Sequence, residues 1–225
     1  MILDLIRDGL SIELVVNLLA RVFVIFCVLP FHEFAHAYVA YKCGDNTAKM
    51  KGRMTINPLA HVDPMGALMI ILAGFGYARA VPVNIGRFKI GKRKQMMALV
   101  AIAGPVANII MALISMFIFT GIYYFVGFEN TMAYYLYLFF SYACSINISL
   151  AVFNLIPIPP LDGSRILSAV MPDKYYFKLM QYERYIIMAI FVLILTGRLN
   201  TPISIVSNLV YNGLQSIVSG FYNLF

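Results

Sequence analysis

The chain has 225 residues, 61% hydrophobic and 12% charged, about half the charge of a soluble domain. That excludes an ordinary soluble enzyme and leaves room for a single integral membrane domain spanning 1–225. The formal net charge of +7 is no argument for nucleic acid, because its cations sit in loops between apolar runs.

The N-terminal stretch does not read as a cleavable signal, since Asp4, Arg7, Asp8 and Glu13 interrupt any early apolar core. The first span runs from Val15 to Tyr41 and stops at Cys43-Gly44-Asp45-Asn46. It carries His32-Glu33-Phe34-Ala35-His36. Residues four apart share a helix face, so both imidazoles can bind one metal ion. Glu33 then lies within reach of a metal-bound water, the arrangement of a zinc peptidase. Ionisable groups at membrane depth are costly and point to function. The bland alternative, two histidines hydrogen-bonded inside a helix bundle, explains neither the spacing nor Glu33. Arg21, eleven residues earlier, is expected to snorkel to the outer interface.

Two short stretches, Ala48 to Ile56 and Arg79 to Asn84, read as strands, and Ala80-Val81-Pro82-Val83 suits a sheet edge. Between them Met65 to Ala78 is apolar but covers only about 21 Å, against a bilayer core of about 30 Å. Ten of the 17 Lys and Arg fall between Lys42 and Lys94. The positive-inside rule therefore places the N-terminus outside and both basic loops in the cytoplasm. A run with both flanks on one side cannot cross, so Met65–Ala78 reads as re-entrant.

Gln95 to Phe128 and Asn130 to Leu161 are each free of charge and each hold a span. Asn108, Asn147 and Asn154 are polar groups in these apolar helices, where helix–helix hydrogen bonding competes with a role at the site. Tyr185 to Thr196 is a further apolar run. The tail, Thr201 to Phe225, has helical apolar spacing and can lie in the interface or pack as a last span. The class is thus an all-α polytopic membrane protein of four to five spans, with a re-entrant segment and short strands near the site. Cys27, Cys43 and Cys144 share no metal-type spacing and read as free thiols.

A catalytic zinc needs a third protein ligand. Three prolines in Pro157-Ile158-Pro159-Pro160 end the helix and present Asp162-Gly163. Alone, Asp162 could simply cap a helix starting near Ser164. Topology brings it to the depth of His36, on the cytoplasmic side. His61, in the turn Asn57-Pro58-Leu59-Ala60-His61, is the remaining alternative ligand.

With these residues in place the chain resembles the site-2 protease family of intramembrane zinc metalloproteases, in its compact prokaryotic branch without a PDZ domain. The likeness rests on His32-Glu33-Phe34-Ala35-His36, Gly104-Pro105-Val106-Ala107-Asn108 and Asn154…Asp162-Gly163, in that order. Asn57-Pro58-Leu59-Ala60-His61-Val62-Asp63-Pro64 and Pro82-Val83-Asn84 add to it. It covers a core of about 15–170 and leaves the C-terminal helices of about 183–225 outside. The resemblance implies one Zn2+ per chain on His32, His36 and Asp162, with Glu33 as general base. It also implies that Asn154, with Asn108, holds the substrate. The expected reaction is hydrolysis of a peptide bond in or near a transmembrane segment of a membrane protein, in the prokaryotic plasma membrane, with the site toward the cytoplasm. Partners are then the lipid bilayer and a transmembrane protein or peptide. The rival is a non-proteolytic membrane metal-binding or transport protein using the same His/His/Asp site, for which Glu33 would be idle.

Overall fold

The computed structural model describes residues 11–73, 78–89 and 92–224. The acidic N-terminal stretch before Ser11, and Gly74 and Gly76 of the expected re-entrant run, lie outside the described residues. Helix α1, Ile12–Lys42, is 31 residues long, about 46 Å. Ser11 starts it by accepting the N–H of Leu14 at 3.2 Å. A π turn at Val24–Val28 interrupts it, just before Pro30, whose ring cannot donate to the preceding turn. Gly44, at φ +104°, ends it in a conformation that favours glycine.

Next come α2, Thr47–Met50, and α3, Pro64–Ala73. Asp63 caps α3, accepting the N–H groups of Met65 and Gly66 at 3.0 Å each. The chain then returns, for Arg79 N–H donates to His61 O at 2.7 Å. Arg79 is thereby held beside His61, close to the start of α3.

Helix α4, Arg93–Phe125, has 33 residues and contains Pro105. Helix α5 is Thr131–Asn154, capped by Asn130. The shorter α6, Asp162–Val170, α7, Asp173–Gln181, and α8, Glu183–Leu195, precede α9, Asn200–Tyr222. Helix α4 is the hub and packs against α1, α5, α6 and α9. Its seams are lined by small side chains: Ala37, Ala40, Ala101, Ala112, Ala143 and Ala151 are all fully buried. Lipid tails are as apolar as Leu, so close backbone approach, rather than hydrophobic transfer, must hold such helices together.

Two expectations need correction. Among the described residues three helices, not four to five, are long and apolar enough to span: Ile12–Lys42, Arg93–Phe125 and Thr131–Asn154. Helix α8 has 13 residues, about 20 Å. Helix α9 is long enough, but Asn, Gln and Ser recur along it; it packs on α4 and α5.

The second correction concerns the strands, of which there are none among the described residues. Ala48 begins the expected first strand but lies inside α2. In the second, backbone N–H groups that a sheet would use go to carboxylates instead. Val81 N–H donates to Glu33 Oε2 at 2.9 Å and Asn84 N–H to Asp45 Oδ2 at 2.6 Å.

Arg21 also departs from its expected place. It does not snorkel outward but donates to Asn17 Oδ1 at 2.7 Å and to the carbonyls of Ile70 and Ile71 at 2.7 and 3.0 Å. The guanidinium thus ties α1 to α3, its charge met by backbone carbonyls and an amide oxygen.

Candidate metal centre and active site

His32 and His36 lie one turn apart on α1, 4% and 2% exposed. Asp162 is the first residue of α6, and its side chain caps nothing, contrary to the simple capping alternative. It turns instead to the two imidazoles. His32 Nε2 and His36 Nε2 are 3.0 Å apart, and Asp162 Oδ2 is 3.3 Å from the first and 3.2 Å from the second.

These distances test the fit of a metal. Two ligand atoms on a tetrahedral zinc, each about 2.0–2.1 Å from it, are about 3.3 Å apart. The three atoms therefore sit as one zinc would hold them, and their chemistry, two imidazole nitrogens and a carboxylate, is that of a catalytic site with a position left open. His36 is also in the right tautomer. Its Nδ1–H donates to Val100 O at 2.6 Å, so the Nε2 lone pair faces Asp162 and His32. Burial opposes the charge on Asp162, but the facing His36 and His32 outweigh it and hold the carboxyl well below the usual carboxylate range.

Two glycines make this approach possible. A Cβ at Gly104 would lie 2.2 Å from His36 Nε2 and 2.5 Å from His32 Nε2. A Cβ at Gly163 would lie 2.3 Å from Leu155 O and 2.4 Å from Ile156 O. The second contact folds the Pro-rich turn back on itself, which brings Asp162 to α1. Here glycine is required for space, not for an unusual φ.

Glu33, 6% exposed, is adjacent to His32. Its Oε2 is held by Val81 N–H. Asn154, the last residue of α5, is half-buried. Asn108 is fully buried, one turn along α4 from Gly104, with both side-chain polar atoms unpaired. Asn147 donates to Ala143 O at 2.8 Å within its own helix. His61 is not among the converging residues; its Nε2–H donates to Thr55 O at 2.8 Å. The thiols are free, as expected, with Cys27 exposed and Cys43 and Cys144 buried. Sequence reasoning missed Arg53, whose guanidinium reaches Arg79 O at 2.5 Å; an Arg in a basic loop carries no local signal of that role.

Comparison with known proteins agrees with this geometry. The sequence pattern of Peptidase family M50 matches residues 120–197, a stretch that holds Asn154 and Asp162. The chain is 46% identical over 167 residues to "Putative zinc metalloprotease YwhC" of Bacillus subtilis, covering 73% of this chain and 75% of that protein. It is 26% identical over 177 residues to "Putative zinc metalloprotease Rip2" of Mycolicibacterium smegmatis and of Mycobacterium tuberculosis, covering 76% of this chain and 65% of each of those. No solved structure matches it. With a relative this similar over most of both chains, and with the converging His, His and Asp, the chain belongs to Peptidase family M50.

Proposed function

We propose that this zinc metalloprotease is an intramembrane endopeptidase that cuts peptide bonds in or near the transmembrane segments of membrane proteins, as a step of regulated intramembrane proteolysis. The observation that carries the reading is the meeting of His32 Nε2, His36 Nε2 and Asp162 Oδ2 within 3.0–3.3 Å, beside Glu33, on a helix long enough to cross a bilayer.

His32, His36 and Asp162 would hold one Zn2+. When bound it supplies Lewis acidity, toward water and toward the scissile carbonyl. Glu33 takes a proton from the attacking water and returns it to the leaving amine. With Oε2 fixed by Val81 N–H, the other oxygen of Glu33 carries that proton. Asn154, half-buried at the end of α5, would hold the substrate backbone. Asn108, fully buried with both side-chain polar atoms unpaired, is expected to share that task. A transmembrane helix hides its carbonyls in its own hydrogen bonds, so the substrate must unwind locally. The extended residues 79–84 are the nearby segment against which an unwound stretch would lie. The basic residues between Lys42 and Lys94 support a site toward the cytoplasmic face of a prokaryotic plasma membrane, by the positive-inside rule.

The test compares membrane-protein fragments in cells expressing wild type or Glu33→Gln. New ends inside transmembrane segments, seen only with wild type, establish the activity and identify the substrate. Identical fragments from two equally expressed, zinc-loaded forms would sink it and favour the metal-binding or transport alternative.

A further inference from the structure

Among the described residues no side chain hydrogen-bonds to Glu33. Its one hydrogen bond among the described residues comes from a loop, the N–H of Val81 at 2.9 Å. A general base must be held closely in place to work, because a misplacement of about 1 Å can cost 100-fold. What fixes the loop therefore fixes the base.

The loop is held through its backbone. Arg79 N–H donates to His61 O at 2.7 Å, and His61 is anchored in turn by its bond to Thr55 O. On the other side, Arg53 Nη2 donates to Arg79 O at 2.5 Å and lies 3.4 Å from Ala80 O. The carbonyl of Ala80 and the N–H of Val81 belong to one peptide group. Arg53 thus grips the oxygen end of the peptide unit whose nitrogen end grips Glu33. Val81 itself is 3% exposed and packs with Ala48 and with Ala37, the residue that follows the histidine motif and lies one turn from Glu33.

We infer that Arg53 is a positioning residue for the general base, acting on Glu33 through the Arg79–Val81 backbone. The two side chains also feel one another directly. Burial and the nearby Arg79 cation lower the Arg53 pKa, and the Glu33 carboxylate opposes them. Both contacts come from one nitrogen, Nη2, and Arg suits the task better than Lys because its planar guanidinium is pre-organised and loses less freedom per hydrogen bond. The role concerns the proton-transfer step and not the metal: the path runs through Glu33 and touches none of His32, His36 or Asp162. It rests on the peptidase reading given above.

The experiment uses the full chain, purified in detergent and loaded with zinc, with fluorescein-labelled casein as an unfolded substrate. Variants are Arg53→Met, Arg53→Lys, Val81→Pro, which removes the donor N–H, and the double variant Arg53→Met/Val81→Pro. Expected are one zinc per chain throughout, KM within about twofold of wild type, and kcat lowered on the order of 10- to 100-fold for Arg53→Met. Arg53→Lys recovers part of that loss. The double variant is no slower than Val81→Pro alone, since both changes break one path. Wild-type kcat in Arg53→Met, an additive loss in the double variant, or lost zinc would overturn the inference.

A second readout needs no turnover. In protein labelled with 15N-valine, the Val81 amide should exchange its proton about tenfold faster in Arg53→Met, with zinc retained. Unchanged exchange would overturn the inference. An inert wild type whose Val81 amide still responded in this way would leave the positioning intact and remove the peptidase reading.

Discussion

Gly104 of α4 lies so close to His36 of α1 that a Cβ on the glycine would stand 2.2 Å from the imidazole Nε2. No rotamer change of Gly104 can relieve that contact, because its source is the backbone of α4. Gly104→Ala must move α4 or turn His36 away from Asp162. The expected result is loss of bound zinc and of turnover in a chain that still inserts. Gly213→Ala is the control. Nothing lies within 4 Å of its Cβ, so it should keep zinc and gain about 0.5–1 kcal/mol of stability from the better helix former. Zinc per chain by elemental analysis checks both. A Gly104→Ala protein with full zinc would contradict the packing of α1 on α4.

The ligands and the base should separate cleanly. Asp162→Ala and His36→Ala each remove one of three converging atoms and should lose zinc. Glu33→Gln keeps all three and should retain one zinc while losing about 100- to 10,000-fold in kcat, the usual span of general acid–base catalysis. Zinc content and turnover on the same preparations decide it. Comparable zinc loss in Glu33→Gln would make Glu33 part of the metal's support.

Arg21 and the Ile70 and Ile71 carbonyls of α3 form a second separable unit. Arg21→Leu leaves the Ile70 and Ile71 carbonyls without their donor and should cost about 2–3 kcal/mol. Arg21→Lys should fall between, because an ammonium can replace the Nη1 contacts to the carbonyls but not also the Nε bond to Asn17 Oδ1. The effect reads out as a lower unfolding temperature in detergent and faster proteolysis between residues 64 and 79. Zinc should stay bound, since Arg21 lies eleven residues, about 16 Å, from His32. A stable Arg21→Leu protein would mean that other groups satisfy the Ile70 and Ile71 carbonyls.

How far the sequence discloses this molecule depends on the kind of interaction. His32, Glu33 and His36 are legible because a metal site on a helix demands fixed spacing. Asp162 is legible because the three prolines before it stop the helix and topology brings it level with His36. The expected strands failed for a local reason. Alternation and β-branching in Ala80–Val83 indicate an extended backbone, but not what its N–H groups bond to, and here the acceptors are Glu33 and Asp45. Arg21 failed similarly. Its position along the helix suggested the interface, while its partners include the Ile70 and Ile71 carbonyls, 49 and 50 residues away in sequence.

The C-terminal helix closes against α4 through Tyr222, whose hydroxyl donates to Phe117 O at 2.8 Å and whose ring stacks on Tyr124. A Cβ at Gly121 would meet that hydroxyl at 2.6 Å, so glycine leaves the space Tyr222 fills. Tyr222→Phe removes only a hydrogen bond and should cost about 1 kcal/mol. Gly121→Leu forces the ring out of its seat and should cost more, about 1–3 kcal/mol. Gly121 lies 17 residues from Gly104 along α4, about 26 Å, so neither change should touch zinc. Thermal unfolding in detergent with zinc analysis checks the pair. If Gly121→Leu lost zinc while Tyr222→Phe kept it, α4 would have shifted as one rigid body, and the docking of α9 would be coupled to the site.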